Sequence, residues 1–181
     1  MIPKWICMQK ALRLSFILAL SACSWFHSEY TSGLEGKPLP DFSLTIKDNV
    51  TPFSTAHIPA GKPFILFLYQ PDCPYCEAQM EDLLDNILSL DQMSIYLVTP
   101  DSYPSIAQFS IHHRLDKYPV FHTNRDSSGI LLNYFGAPVV PYMAFYNSEK
   151  KLSKVLVGKS PFSAIKKAIT GQVAGHLASI P

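Results

Sequence analysis

The chain has 181 residues, 48% of them apolar, with 15 basic and 14 acidic side chains, four cysteines and a formal charge of +1. That length can bury a full hydrophobic core, so no disulfide is needed to hold a fold together. The near-zero charge excludes a broadly basic nucleic-acid binder, and charged residues at 16% among so many apolar ones exclude a disordered chain.

Lys4, Lys10 and Arg13 precede the apolar run from Leu14 to Leu20, and the small residues Ser21 and Ala22 follow. This is the order of a secretory signal, and the run is too short to cross a bilayer as a helix. Leu20-Ser21-Ala22-Cys23 resembles the lipobox of bacterial lipoproteins. The resemblance implies that residues 1–22 are removed and that Cys23 becomes the acylated first residue; an ordinary cleaved signal or an uncleaved anchor is the alternative. Cys7 then leaves with the signal, as do three of the 15 basic residues, so that 12 basic face 14 acidic side chains at a formal charge of −2. Export places the domain where disulfides persist. Cys73 and Cys76 remain as thiols, too close together to staple distant parts of a fold. They read as a redox site or as half of a metal site.

Residues 24 to about 40, rich in Ser, Gly, Glu and Pro, read as a tether, its clearest part being 23–35. Asp41 to Ile46 alternates apolar and polar residues as a half-buried strand does, with a turn at Asp48-Asn49. Pro63 opens the unbroken apolar run Phe64 to Tyr69, which fits a central strand covered on both faces. After Gln70-Pro71-Asp72-Cys73-Pro74-Tyr75-Cys76, the residues Met80, Leu83, Leu84, Ile87 and Leu88 recur at helical spacing. Ile95 to Val98 predicts a second buried strand, Pro104 to Phe109 a short helix, and Tyr118 to His122 a third strand. Gly129 to Phe135 predicts a helix ended by Gly136. Tyr142 to Tyr146, a turn at Asn147-Ser148 and Leu152 to Val157 predict a hairpin. Ser160 is expected to cap a last helix from Pro161 to about Thr170, leaving 171–181 as a tail. Strands alternating with helices, then a hairpin and a helix, give a layered α/β domain.

The cysteine pair therefore sits at a strand-to-helix junction. Pro74 lacks an N–H and suits the first helical position, which makes Cys73 the expected N-cap. Unpaired N–H groups at the positive end of the helix dipole favour negative charge on its sulfur, while the neighbouring Asp72 carboxylate opposes it. Cys76 lies one helical turn further on the same face, within reach of a disulfide. Cys73 is thus expected to attack and Cys76 to resolve the mixed disulfide.

The order Gly36-Lys37-Pro38-Leu39-Pro40-Asp41-Phe42, then Gly61-Lys62-Pro63 before an apolar strand, then Cys73-Pro74-Tyr75-Cys76 opening a helix, resembles the redoxin branch of the thioredoxin superfamily. Within it the chain is most similar to exported, membrane-tethered thiol-disulfide oxidoreductases of the TlpA and ResA type, over residues 36–170. The resemblance implies a thioredoxin-like fold: a central mixed sheet flanked by helices, with an N-terminal strand extension. It implies a cis-proline opposite the dithiol, a place that Val140-Pro141 matches, and a docking groove built from Val140, Pro141, Pro74 and Tyr75. It implies no cofactor and no metal. The expected partners are thiols or disulfides of exported proteins and a membrane or periplasmic redox protein. The expected setting is a monomer, lipid-anchored in the cell envelope and facing the periplasm, with no nucleic acid involved.

Departures from the family are equally visible. The tryptophan common before the first cysteine is replaced by Asp72, the glutamate three residues after the second cysteine by Gln79, and the buried strand aspartate of thioredoxin by Phe67. Glu77 is then the nearest candidate acid-base helper, and reads as a solvated helix residue. The dipeptide Pro74-Tyr75 also occurs in glutaredoxins and in some periplasmic disulfide isomerases, so reductant, isomerase and oxidant roles stay open. Three other readings compete. A peroxiredoxin would use the same scaffold, yet the position three before Cys73, where that family resembles a threonine pattern, is Gln70. A copper site could draw on the two thiols with His112, His113 or His122. A non-catalytic binding module could present Tyr69, Tyr75, Tyr142 and Tyr146.

Overall fold

The structure, a computed structural model, describes residues 30–46 and 51–177. The expected signal at 1–22, the acylated Cys23 with the start of the tether, the turn at Asp48-Asn49 and the end of the tail at 178–181 lie outside the described residues. Seven strands form one sheet: β1 (Ser43–Ile46), β2 (Pro52–Ser54), β3 (Phe64–Leu68), β4 (Ser94–Thr99), β5 (Phe121–Arg125), β6 (Tyr142–Tyr146) and β7 (Leu152–Val157). Among the described residues they are accompanied by the α-helices α1 (Pro74–Asp85), α2 (Tyr103–His112), α3 (Ile130–Phe135) and α4 (Phe162–Leu177). The strand order is β2-β1-β5-β4-β3-β6-β7, with β3, β4 and β5 parallel and the other pairs antiparallel. This is the mixed sheet with an N-terminal extension that the resemblance implies.

The strand alternation of side chains sorts the apolar runs into two cores. Ile65 and Phe67 of β3, Ile95 and Leu97 of β4, and Met143 and Phe145 of β6 face α1, α2 and α4, meeting Met80, Leu83, Phe109 and Ile165. Phe64, Leu66 and Leu68 turn the other way with Tyr96, Val98, Tyr142 and Tyr146 onto Leu131 and Phe135 of α3. Central strands β3 and β6 are buried along their whole length, which is why they read as unbroken apolar runs. Among the described residues no helix is long and apolar enough to cross a membrane.

Several elements differ from the sequence reading. Residues 36–39 are not free tether: Gly36 N–H donates to Leu152 O at 2.7 Å, Leu152 N–H to Lys37 O at 2.9 Å and Leu39 N–H to Lys150 O at 3.1 Å. They pair with the start of β7 and belong to the domain. The third strand starts at Phe121 rather than Tyr118, because Phe121 N–H closes a turn on Tyr118 O at 3.1 Å around Pro119, which has no donor of its own. Its second half, Thr123-Asn124-Arg125, is polar and gave no strand signal. Strand β2 was also unread; its Pro52 is tolerated because β2 is an edge. Helix α2 extends past Phe109 to His112, and α4 past Thr170 to Leu177. Ser160 does not cap α4 as expected: its hydroxyl donates to Gly158 O, and Pro161 O takes the first N–H bonds, from Ala164 and Ile165.

Candidate active site

Central strand β3 hands the chain at its C-terminal end to a tight turn in which Cys73 N–H donates to Gln70 O at 3.2 Å. Cys73 is the N-cap of α1, with φ −90° and ψ 115° and Pro74 in the first turn, as expected. Its carbonyl accepts from Cys76 N–H at 2.9 Å and Glu77 N–H at 3.0 Å. The expected interaction of its sulfur with the helix terminus is not made: the side chain forms no capping hydrogen bond. The extended backbone turns the thiol instead toward the β6 side, where Sγ donates to Val140 O at 4.0 Å. Asp72 is exposed, so its charge is screened by solvent.

The two cysteines are free thiols in unlike surroundings. Cys73 is half-buried, whereas Cys76 is completely buried between α1 and the sheet. Burial pushes the Cys76 thiol up to about 12, against a backbone hydrogen bond with Gln70 that lowers it, while Cys73 and the charge of Glu77 raise it further. Tyr69 shares this core, and burial raises its hydroxyl too, with Asp101 and Cys76 contributing.

Opposite the dithiol the Val140-Pro141 peptide is cis, as the resemblance implied. Pro141 is buried, Val140 half-buried and Val139 exposed. Pro74 and Tyr75 lie at the surface on the other side, Tyr75 being 66% exposed. Cys73 and Val140 thus meet at a partly exposed place, with exposed Tyr75 two residues along the chain from Cys73. Tyr69, Tyr142 and Tyr146 do not join it, since all three are fully buried core residues.

The positions that depart from the family take up structural roles. Phe67 is fully buried in the core beneath α1. Gln79 is fully buried, and its Oε1 accepts the Ser160 N–H at 2.7 Å, tying α1 to the loop before α4. Glu77 is not a solvated helix residue. Its Oε2 lies 2.9 Å from Nε2 of buried His113 and 3.7 Å from Nε2 of exposed His112. The histidines thus gather on Glu77 and not on the cysteines, while His122 stacks on Tyr96 at 4.8 Å. The sequence signal for this cluster was the His112-His113 doublet, hidden because the predicted helix stopped at Phe109.

An exposed-side thiol above a buried one, at the junction of a parallel strand and a helix and facing a cis-proline, defines a thioredoxin-like redoxin site. Residues 36–152 match the AhpC/TSA family, and the chain belongs to that family. No curated protein matches it. Among solved structures it is similar to a secreted Mycobacterium tuberculosis disulfide oxidoreductase homologous to E. coli DsbE, with a TM-score of 0.56 and 21% identity over 74% of this chain and 95% of that one. It is also similar to Enterococcus faecalis AhpC, with a TM-score of 0.65 and 18% identity over 82% and 98% of the two chains. The peroxidoxin BcpB from Mycobacterium tuberculosis gives 0.63 and 19% over 77% and 96%. At these identities the likeness is one of fold.

Proposed function

We propose that the protein exchanges disulfides with other proteins through Cys73 and Cys76. The observation that carries this reading is the asymmetry of the pair: a half-buried thiol beside an exposed backbone segment, over a fully buried thiol one helical turn away. In the reducing direction the Cys73 thiolate attacks one sulfur of a substrate disulfide. The substrate S–S bond breaks, its far sulfur leaves and takes a proton, and a Cys73–substrate disulfide forms. Cys76 then gives up its proton and attacks the Cys73 sulfur, releasing the second substrate thiol. The substrate gains two electrons and two protons, and the pair becomes a disulfide. The same steps in reverse oxidise a substrate dithiol. Val140, whose carbonyl already meets the Cys73 sulfur, is suited to pair with an extended substrate segment, with Pro141, Pro74 and Tyr75 shaping the groove.

The signal-like start of the chain and its lipobox-like segment Leu20-Ser21-Ala22-Cys23 support a setting at the cell envelope. A signal at residues 1–22 and acylation at Cys23 would tether the domain to a membrane on the periplasmic side, where exported proteins carry the disulfides. Incorporation of a fatty-acid label that is lost in Cys23→Ser tests the anchor.

Replacing Cys76 with Ser tests the exchange. That variant should hold partner proteins in covalent complexes with Cys73, released by reductant and absent when Cys73 is also replaced. If no partner is trapped, and the wild-type pair fails to equilibrate with a glutathione redox buffer, the reading is wrong.

A further inference from the structure

Outside the dithiol, one cluster brings three metal-ligating side chains from two helices to one point. Glu77 projects from the first turn of α1, His112 is the last residue of α2, and His113 is its C-cap, with the His113 N–H donating to Phe109 O at 3.1 Å. One donor atom from each lies within 4.8 Å of the other two. The imidazole planes stand 84° apart with ring centroids 4.8 Å apart, so the two rings approach Glu77 from different directions.

The innermost ligand is held in place. His113 packs on the Phe109 ring at 4.4 Å, and its side chain is 3% exposed. Its Nε2 lies 2.9 Å from Glu77 Oε2, so packing and the carboxylate together hold the ring at a fixed position.

From this geometry we propose that Glu77, His112 and His113 bind one borderline divalent cation, Zn2+, at a site separate from the dithiol. Two imidazoles and a carboxylate are a donor set suited to this ion, and a tetrahedron built on bonds of ~2.0–2.2 Å has edges of about 3.3 Å. The separations of 2.9 and 3.7 Å from Glu77 to the two rings straddle that value, and the wider spread of the cluster, up to 4.8 Å, closes to it by rotation of the exposed His112 side chain onto the ion. The fourth position opens on the exposed His112 side, and Glu81, one turn further along α1 and exposed, adds negative charge nearby. A bound ion would join the first turn of α1, one residue after Cys76, to the end of α2.

The probe is Zn2+ alone, titrated calorimetrically into the full chain with all four cysteines changed to serine, so that no thiol competes. One ion should bind per chain. His112→Ala, at an exposed position that leaves the fold intact, should weaken binding by more than the ~10-fold typical of losing a supporting contact, and Glu77→Gln should do likewise. In the unmodified reduced chain, His112→Ala should lower the number of bound Zn2+ ions by one, a measurement that does not depend on the serine variants folding. Absence of binding in a folded cysteine-free chain overturns the proposal, as does a His112→Ala chain that keeps the same affinity and stoichiometry. Because the cysteines are removed, these outcomes are independent of the disulfide-exchange reading.

Discussion

Ionisation of Cys76 is the most direct test of how the dithiol is built. Its thiol is completely buried and is raised from 9.0 to about 12, with burial the largest cause. At pH 7 such a group is thiolate in roughly one molecule in 10^5, against about one in 100 for an unshifted thiol. Direct attack by Cys76 on the mixed disulfide should therefore quicken about tenfold per pH unit across the neutral and alkaline range. The assay is NMR of the reduced protein with cysteine labelled at 13Cβ, whose shift follows the thiol-to-thiolate change at each site. The Cys76 resonance should stay at its thiol position up to pH 10, and it should do so again in Cys73→Ser, because burial remains when the neighbouring sulfur is gone. A Cys76 midpoint at or below about 9 would refute the claim that burial dominates.

Linkage gives a related expectation. Between pH 9 and 12 the folded reduced protein keeps a proton on Cys76 that the unfolded chain has lost, so stability is fully present below about 9 and falls as pH rises toward 12. Denaturation measured between pH 9 and 10, before the buried tyrosines begin to add their own losses from 10.0 upward, should show a slope that is absent in Cys76→Ala. Gln79→Leu removes the acceptor of the Ser160 N–H, leaving it buried and unpaired, and should cost about 1–3 kcal/mol in urea denaturation. Asp82→Asn breaks the 2.6 Å ion pair with Lys159, but both partners are more than a third exposed, and the loss should stay under about 1 kcal/mol. Peroxide consumption by the reduced protein should not exceed that of Cys73→Ser; turnover that depends on Cys73 would favour the peroxidase branch of the family.

The centre of the fold was legible because burial on both faces leaves an unambiguous record. Phe64 to Leu68 and Tyr142 to Tyr146 carry no polar residue, and both are fully buried strands. The dithiol was legible for a similar reason, since Cys73-Pro74 couples a helix start to a thiol through the missing N–H of proline. What escaped was set by partners remote in sequence. Residues 36–39 look like linker because their order comes from backbone bonds to Lys150 and Leu152, which leave no trace in side-chain pattern. Strand β5 was legible only in its first half, Phe121-His122, because Asn124 and Arg125 are held in the strand by pairing with β4 and β1 rather than by their own propensity. The direction of the Cys73 sulfur was misjudged in the same way, because Val140, 67 residues away, supplies its acceptor.

Two positions where the resemblance to ResA-type proteins and to thioredoxin implied carboxyls hold an uncharged amide and an apolar ring instead: Gln79 and Phe67 are both fully buried. The remaining carboxylate, Glu77, is engaged with His112 and His113. Its charge raises the Cys76 thiol further. In the exchange proposed above, burial of Cys76 therefore makes removal of its proton the slow part of resolving the mixed disulfide. A site arranged this way favours a long-lived mixed disulfide, with release depending on water reaching Cys76 or on a base carried by the partner.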